Sequence, residues 1–220
     1  MKTLADKVVA ITGAGSGIGR ATAVLVAKHG GHLAISDVNA AGLAETAQLC
    51  AAAGAQAHTQ TLDVADRAAV HAWAEAVAAH YGRVNVIINN AGVTVAATIE
   101  DTSYENFEWL MNINFWGVVQ GTKAFLPHLK KSGDGHVVNV SSLFGLIGVA
   151  SQAAYNASKF GVRGFTEALR EEMEIEGAPV GVTCIHPGGI QTNIAAGGRV
   201  VANEAYGLKD AESFGRRFAK

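Results

Sequence analysis

Apolar positions along this chain fall into short runs separated by longer stretches with helical periodicity. Val8–Thr12, His32–Ser36, Ala55–Leu62, Val84–Asn89, His136–Ser141 and Val180–His186 read as strands. Several are apolar without alternation, as expected where helices cover both faces of a parallel sheet. Helices are predicted over Ile18–His29, Ala40–Ala53, Ala68–Tyr81, a broken or doubled segment from Tyr104 to Lys131, and Ala154–Glu176. Gly30-Gly31, Gly54, Gly82 and Gly177 stand just past helix ends, where a residue free to take positive φ is useful. Regular alternation of strand and helix implies an α/β fold built on one doubly wound parallel sheet. No linker, low-complexity tract or repeat interrupts it, so residues 1–220 are read as one domain. After Ile194 the pattern changes: no apolar strand is evident, and residues 195–220 are expected to form a mobile substrate loop and a short helix.

Composition narrows the classes. Hydrophobic residues make up 49% of the 220 and charged residues 16%, with 26 glycines against 3 prolines, which suits a compact fold with many tight turns. A formal charge of −2, with Lys and Arg dispersed, argues against a nucleic-acid partner. Cys50 and Cys184 read as buried thiols, and the eight histidines show no metal-ligand spacing, so no metal is expected. His186 reads as a locally satisfied residue. The N-terminus runs almost directly into the first strand, and no apolar run approaches a membrane span. The expected location is cytoplasmic.

Chemistry enters with the loop after the first strand, Thr12-Gly13-Ala14-Gly15-Ser16-Gly17-Ile18-Gly19. Its glycines let the backbone turn sharply and approach a pyrophosphate at the N-terminus of the following helix. The strict G-x-G-x-x-G spacing is not met; the strand before and the helix after give the loop its meaning. Asp37 ends the second strand twenty residues after Gly17, where a carboxylate can accept hydrogen bonds from both adenosine ribose hydroxyls and would repel a 2′-phosphate. No cation stands at Ala14, Ser16 or Val38 to rescue that phosphate, so NAD is favoured over NADP. These features make the sheet Rossmann-like, with expected strand order 3-2-1-4-5-6 and helices on both faces.

Tyr155 and Lys159 lie one helical turn apart in Tyr-Asn-Ala-Ser-Lys, and Ser142 precedes the tyrosine by thirteen residues. Bringing a tyrosine from about 10 to near neutrality needs about 4 kcal/mol of preferential phenolate stabilisation, part of which a fixed ammonium can supply. A Tyr–Lys pair at this spacing is common on helices, most often as an aromatic beside a solvated lysine. It gains weight here from the glycine loop, the acid and the serine.

With Asn89-Asn90-Ala91-Gly92, Asn114 and Pro187-Gly188 added in this order, the chain resembles the short-chain dehydrogenase/reductase family over roughly residues 6 to 194. The resemblance implies that Gly13, Ser16, Gly17, Ile18 and Gly19 form the cofactor loop, and that Asn90, Ala91 and Gly92 line the dinucleotide site. It places Asp63 and Val64 beside the adenine, and Pro187, Gly188, Ile190 and Thr192 near the nicotinamide carboxamide. Tyr155 would exchange a proton with the substrate oxygen, Lys159 would bind ribose hydroxyls and lower the tyrosine pKa, and Ser142 would hold the oxygen. Ser142 is preferred to Ser141 because its distance from Tyr155 matches the family. Asn114 resembles the helix asparagine that holds a water in a proton relay to the lysine, with Asn112 as a nearby decoy.

Val93-Thr-Val95, Leu143-Phe-Gly145, Val149-Ala-Ser-Gln152 and the segment after Thr192 are pocket candidates. Their apolar character favours an uncharged alcohol or ketone. Family members commonly pair the helices corresponding to Tyr104–Lys131 and Ala154–Glu176, which implies a homodimer or homotetramer. They also usually continue into another helix and a seventh strand, so the chain is either shortened or unusual at its tail. The reading is an NAD-dependent alcohol dehydrogenase or ketoreductase; the alternative is a dinucleotide-binding regulatory or scaffolding protein without turnover.

Overall fold

The computed structural model describes residues 3–190, 194 and 197–210. Six parallel strands form the main sheet: β1 (Val8–Thr12), β2 (His32–Asp37), β3 (Ala57–Thr61), β4 (Val86–Asn89), β6 (Gly135–Val140) and β7 (Val180–Ile185). Their spatial order is β3-β2-β1-β4-β6-β7, the expected 3-2-1-4-5-6 when main-sheet strands alone are counted. β5 (Val95–Ala96) stands outside that sheet and pairs in parallel with β8 (Arg199–Val200). That pairing corrects the expectation that no strand follows Ile194. Two residues are too short for an apolar run to register, and only a distant partner makes them a strand.

Helices α1 (Gly17–Lys28), α2 (Ala40–Ala52), α3 (Arg67–Tyr81), α4 (Tyr104–Met111), α5 (Gly117–Lys131) and α6 (Ala153–Ile175) fill the crossovers. Local chemistry sets several of their starts. Asn39, Asp66 and Ser103 each accept a backbone N–H in the first turn of α2, α3 and α4. Gly82 ends α3 in the left-handed region at φ 72°. The doubled segment resolves into α4 and α5 joined by one π-helical turn, Asn112–Trp116.

Two apolar layers hold the sheet. On one face Val9, Ile11, Leu33 and Ile35 pack with Ala23 and Val26 of α1 and Leu43 and Cys50 of α2. On the other, Trp73 and Val77 of α3 meet Phe125 and Leu129 of α5 and Leu169 of α6, with Trp73 edge-on to Phe125 at 5.1 Å. A buried polar chain crosses between β4 and β6. Asn89 donates to Thr122 and to Asn139, and Asn139 donates to Thr166, so the interior amide N–H groups near the strand ends find acceptors. β3 ends earlier than expected because it is an edge strand with one neighbour and half-exposed or exposed side chains. The sheet order reverses between β1 and β4, and the loops leaving their carboxyl ends diverge there to open a cleft.

Among the described residues, no helix is long and apolar enough to cross a membrane, and no group of three or more His, Cys, Asp or Glu side chains could hold a metal ion. Cys50 and Cys184 are unpaired thiols. Residues 197–210 contain β8 and one 3-10 turn, Glu204–Tyr206. The remainder of the expected loop and terminal helix lies outside the described residues.

Candidate active site

The loops after β1 and β4 are stitched together across the switch point. Thr12 Oγ1 accepts the N–H groups of Asn90 and Ala91 at 3.0 and 3.1 Å, and Asn90 Nδ2 donates to the carbonyls of Thr12 and Gly13 at 3.0 Å. Gly13 and Gly17 take φ of 66° and 53°, a region that penalises any side chain. Asp37 braces the same loop, accepting Gly15 N–H at 2.8 Å through one oxygen and Asn39 N–H through the other. Arg20 reaches back from α1 to the Gly15 carbonyl and ion-pairs with Glu45, while Thr46 donates to the Ala14 carbonyl. The guanidinium therefore holds the loop's shape rather than facing an adenosine phosphate.

These loops wall a cleft of about 410 Å³ that follows the carboxyl ends of the strands in sheet order. Asp63 and Val64 line it beyond β3, Asp37 and Val38 beyond β2, and Gly13, Ser16, Gly17 and Ile18 beyond β1. Asn90, Ala91 and Gly92 follow after β4, and Ser142, Tyr155, Lys159, Pro187, Gly188 and Ile190 complete the far end. Gly19 departs from expectation and does not line the cleft. It lies behind the loop, where a Cβ would overlap the Gly13 carbonyl oxygen, so its role is to let helix and loop approach. Thr192 lies outside the described residues.

The cleft suits a dinucleotide on its own chemistry. Ser16 stands at the N-cap of α1 yet makes no side-chain cap, unlike the capping residues of α2, α3 and α4, so the first-turn N–H groups of α1 face the cleft without a capping oxygen. An uncapped helix start of this kind is where a pyrophosphate is held.

At the far end, α6 carries Tyr155 and Lys159 on one face. Tyr155 is largely buried; burial pushes its hydroxyl pKa up, and a hydrogen bond with the Ser142 side chain pulls it part way back. Phe144 stands edge-on to the tyrosine ring at 6.1 Å. Lys159 is enclosed, its Nζ 5.6 Å from the Tyr155 ring centre and donating to the Val140 carbonyl at 2.9 Å. Burial lowers its pKa to about 8. The expected lowering of the tyrosine by this ammonium is not seen in this geometry: burial raises the phenol, and the opposing influence comes from Ser142. Ser141 donates to the Lys159 carbonyl and His186 faces the Ser142 carbonyl, local roles that agree with the sequence reading.

Asn114 is fully buried beneath Gly92. Its side-chain amide accepts from Val93 N–H at 2.8 Å and donates to the Val93 carbonyl at 2.9 Å, so it is consumed in pinning the loop after β4 to the π turn. Asn112, the decoy, makes no such contact among the described hydrogen bonds. A Cβ placed on Gly92 would stand 3.3 Å from Asn114 Oδ1 and 3.6 Å from Lys159 Nζ, so amide and ammonium both close on that glycine.

A family model described as short chain dehydrogenase matches residues 7–199. The chain belongs to the short-chain dehydrogenase family. SadH of Mycobacterium tuberculosis, whose own designation as an oxidoreductase is provisional, is 52% identical over the whole chain, which spans 79% of that protein. Among solved structures, a short-chain dehydrogenase/reductase from Burkholderia phymatum in complex with NAD superposes with a TM-score of 0.90 at 34% identity, covering 99% of this chain and 79% of the other. Levodione reductase superposes with a TM-score of 0.83 at 35% identity, over 87% and 74%. As a short-chain dehydrogenase with this cleft, the protein is an NAD(H)-dependent oxidoreductase that transfers hydride to or from an apolar substrate.

Several wall residues of this dehydrogenase escaped the sequence reading. Leu62, Ile113 and Val140 line the cleft as apolar side chains with no chemical signature, recognisable only by adjacency to Asp63, Asn114 and Ser141. Gln152, a pocket candidate, does not line the cleft; it is buried at the start of the tyrosine helix.

Proposed function

We propose that this protein interconverts an uncharged alcohol and ketone, with Tyr155 as the general acid and base. The observation that carries the reading is the convergence of Ser142, Tyr155 and the buried Lys159 at one end of the cleft, with Asp37 at the other. A bound nicotinamide supplies or accepts the hydride. In the reducing direction, the Tyr155 hydroxyl passes its proton to the substrate oxygen while Ser142 donates a hydrogen bond to that oxygen. In the oxidising direction the tyrosine oxygen takes the proton back. Lys159 holds ribose hydroxyls, and its charge favours the phenolate once the ammonium is drawn from the Val140 carbonyl towards the tyrosine. Asn114, its side chain committed to Val93, supports the site by holding the loop after β4 in place beside Lys159.

Asp37 selects NAD(H), Asp63 and Val64 hold the adenine, and Pro187, Gly188, Ile190 and Thr192 hold the carboxamide. Lys159, Asp37 and Asp63 are the only charged side chains lining the cleft among the described residues. The two acids stand beyond β2 and β3, so the end near Tyr155 favours a neutral, apolar substrate. Residues 1–220 work as one dinucleotide-binding and catalytic unit, cytoplasmic and paired into a dimer or tetramer through α4–α5 and α6. NADH absorbance followed against a panel of ketones and secondary alcohols tests the reading. Turnover with wild type and a loss of at least about a hundredfold in Tyr155→Phe are expected; undiminished turnover in the mutant would overturn it.

A further inference from the structure

We propose that Gln152 is a positioning residue for this reaction: it fastens the segment 94–97 to the first turn of the tyrosine helix and so sets where Tyr155 meets the substrate oxygen. The inference rests on the proton-transfer role given to Tyr155 above.

Gln152 is among the most deeply enclosed side chains of the protein, at 2% exposure, and its amide is fully engaged. Nε2 donates to the carbonyls of Val95 at 3.1 Å and Ser151 at 3.0 Å, while Oε1 accepts from Thr94 Oγ1 at 3.1 Å. Its surroundings are apolar: Val95, Ala97, Leu110 and Ala154 pack together there with Tyr155. A methionine would fill that volume without removing an amide from water, so packing alone gives no reason for the polar group. What the amide adds is direction, since it fixes one wall of the site in register with one helix.

The backbone makes the same junction. Ala97 N–H donates to the Ser151 carbonyl at 3.0 Å, Ala97 bridges to Gln152, and the Gln152 carbonyl accepts Asn156 N–H at 2.7 Å as α6 begins. Ser151 holds φ at 64° without being glycine, a conformation costing about 1–2 kcal/mol that persists only where the surroundings impose it.

The other edge of segment 94–97 receives the chain that returns after β7. Arg199 N–H donates to the Thr94 carbonyl and Val201 N–H to the Ala96 carbonyl, both at 3.0 Å. The Arg199 guanidinium lies 3.9 Å from the Trp109 ring centre and donates to Asn106. Segment 94–97 is thus held between β8 and Gln152, and Tyr155 follows Gln152 by less than one helical turn. The dinucleotide walls at Gly13, Ser16, Gly17, Ile18, Asp37, Asp63 and Val64, by contrast, make no hydrogen bond to Gln152, whose side-chain partners are Thr94, Val95 and Ser151.

Gln152→Met, characterised beside wild type and Tyr155→Phe, tests the proposal. The expected result is NADH affinity, read by fluorescence titration, within about twofold of wild type, with kcat at saturating ketone lowered at least about tenfold and its pH profile displaced. A kcat within twofold of wild type, or a kcat that falls only in parallel with NADH affinity, overturns it. If Gln152→Met does not fold, Thr94 decides: Thr94→Val should lower kcat about fivefold and Thr94→Ser should retain it, while equal kcat in the two overturns the proposal. Full turnover in Tyr155→Phe sinks the proton-donor assignment and this inference together. An inactive Tyr155→Phe beside a fully active Gln152→Met sinks this inference alone.

Discussion

Lys159 combines two requirements that oppose each other: its charge is wanted beside the phenol, and its burial makes that charge costly. Its ordinary value of 10.5 falls to about 8 in the fold. Below pH 8 both folded and unfolded chains carry the proton, and the fold bears the whole cost of the buried ammonium. Between about 8 and 10.5 the unfolded chain holds a proton that the fold has released, so stability rises with pH across that window. Relative to Lys159→Met, ligand-free wild type should therefore gain on the order of 3 kcal/mol between pH 7 and pH 10.5, read by denaturant unfolding of both proteins. A constant difference would mean that the ammonium is solvated. Asp37 gives a second prediction at this scale. Its carboxylate faces the cleft while both oxygens accept backbone N–H groups, so Asp37→Ala should narrow the NADH-over-NADPH preference at least about tenfold in paired binding titrations. NADPH binding wild type as tightly as NADH would refute the carboxylate's role.

Among the elements, the join between loop and helix after β1 depends most on atomic fit. Gly19 lines nothing, yet its Cα stands so near the Gly13 carbonyl that a methyl group there must displace backbone. Gly19→Ala should cost about 1–3 kcal/mol in unfolding experiments and weaken NADH binding at least about tenfold, although no atom of residue 19 is assigned a contact with the dinucleotide. Retained affinity would show that the loop tolerates a wider crossing. The π turn between α4 and α5 shows the limits of periodicity. A broken or doubled helix was evident between Tyr104 and Lys131, but the break is set by Asn114 gripping the Val93 backbone, a partner 21 residues away. Strand β8 is a similar case, since Arg199 and Val200 become extended through pairing with Val95 and Ala96.

For the whole molecule, the parallel sheet and its helical layers bring the carboxyl ends of all six main-sheet strands to one edge, and the described walls of the cleft come from that edge, from the π turn and from α6. Assembly is the property of this scale open to test. Trp116 and Phe160 are large aromatics left half in solvent, near where α6 meets the π turn and Gly161 packs on the Phe115 ring. If α5 and α6 pair between subunits, sedimentation velocity should show a dimer or tetramer for wild type and dissociation towards monomer for Phe160→Asp, because a buried unpaired carboxylate opposes association. An unchanged sedimentation coefficient in that variant would place any contact elsewhere.

The sequence by itself determined the α/β class, the strand order, the glycine loop, the acid at the end of β2 and the Ser142, Tyr155 and Lys159 set. Those features are local: hydrophobic period, turn chemistry and fixed spacing along one helix are carried by neighbouring residues. Tertiary structure alone decided that Gly19 serves packing, that the Asn114 side chain is spent on Val93, that burial governs the Tyr155 and Lys159 protons, and that Gln152 ties segment 94–97 to the tyrosine helix. Each of these depends on atoms distant in sequence brought within a few ångströms, and on the water excluded when they meet, neither of which is written in local pattern.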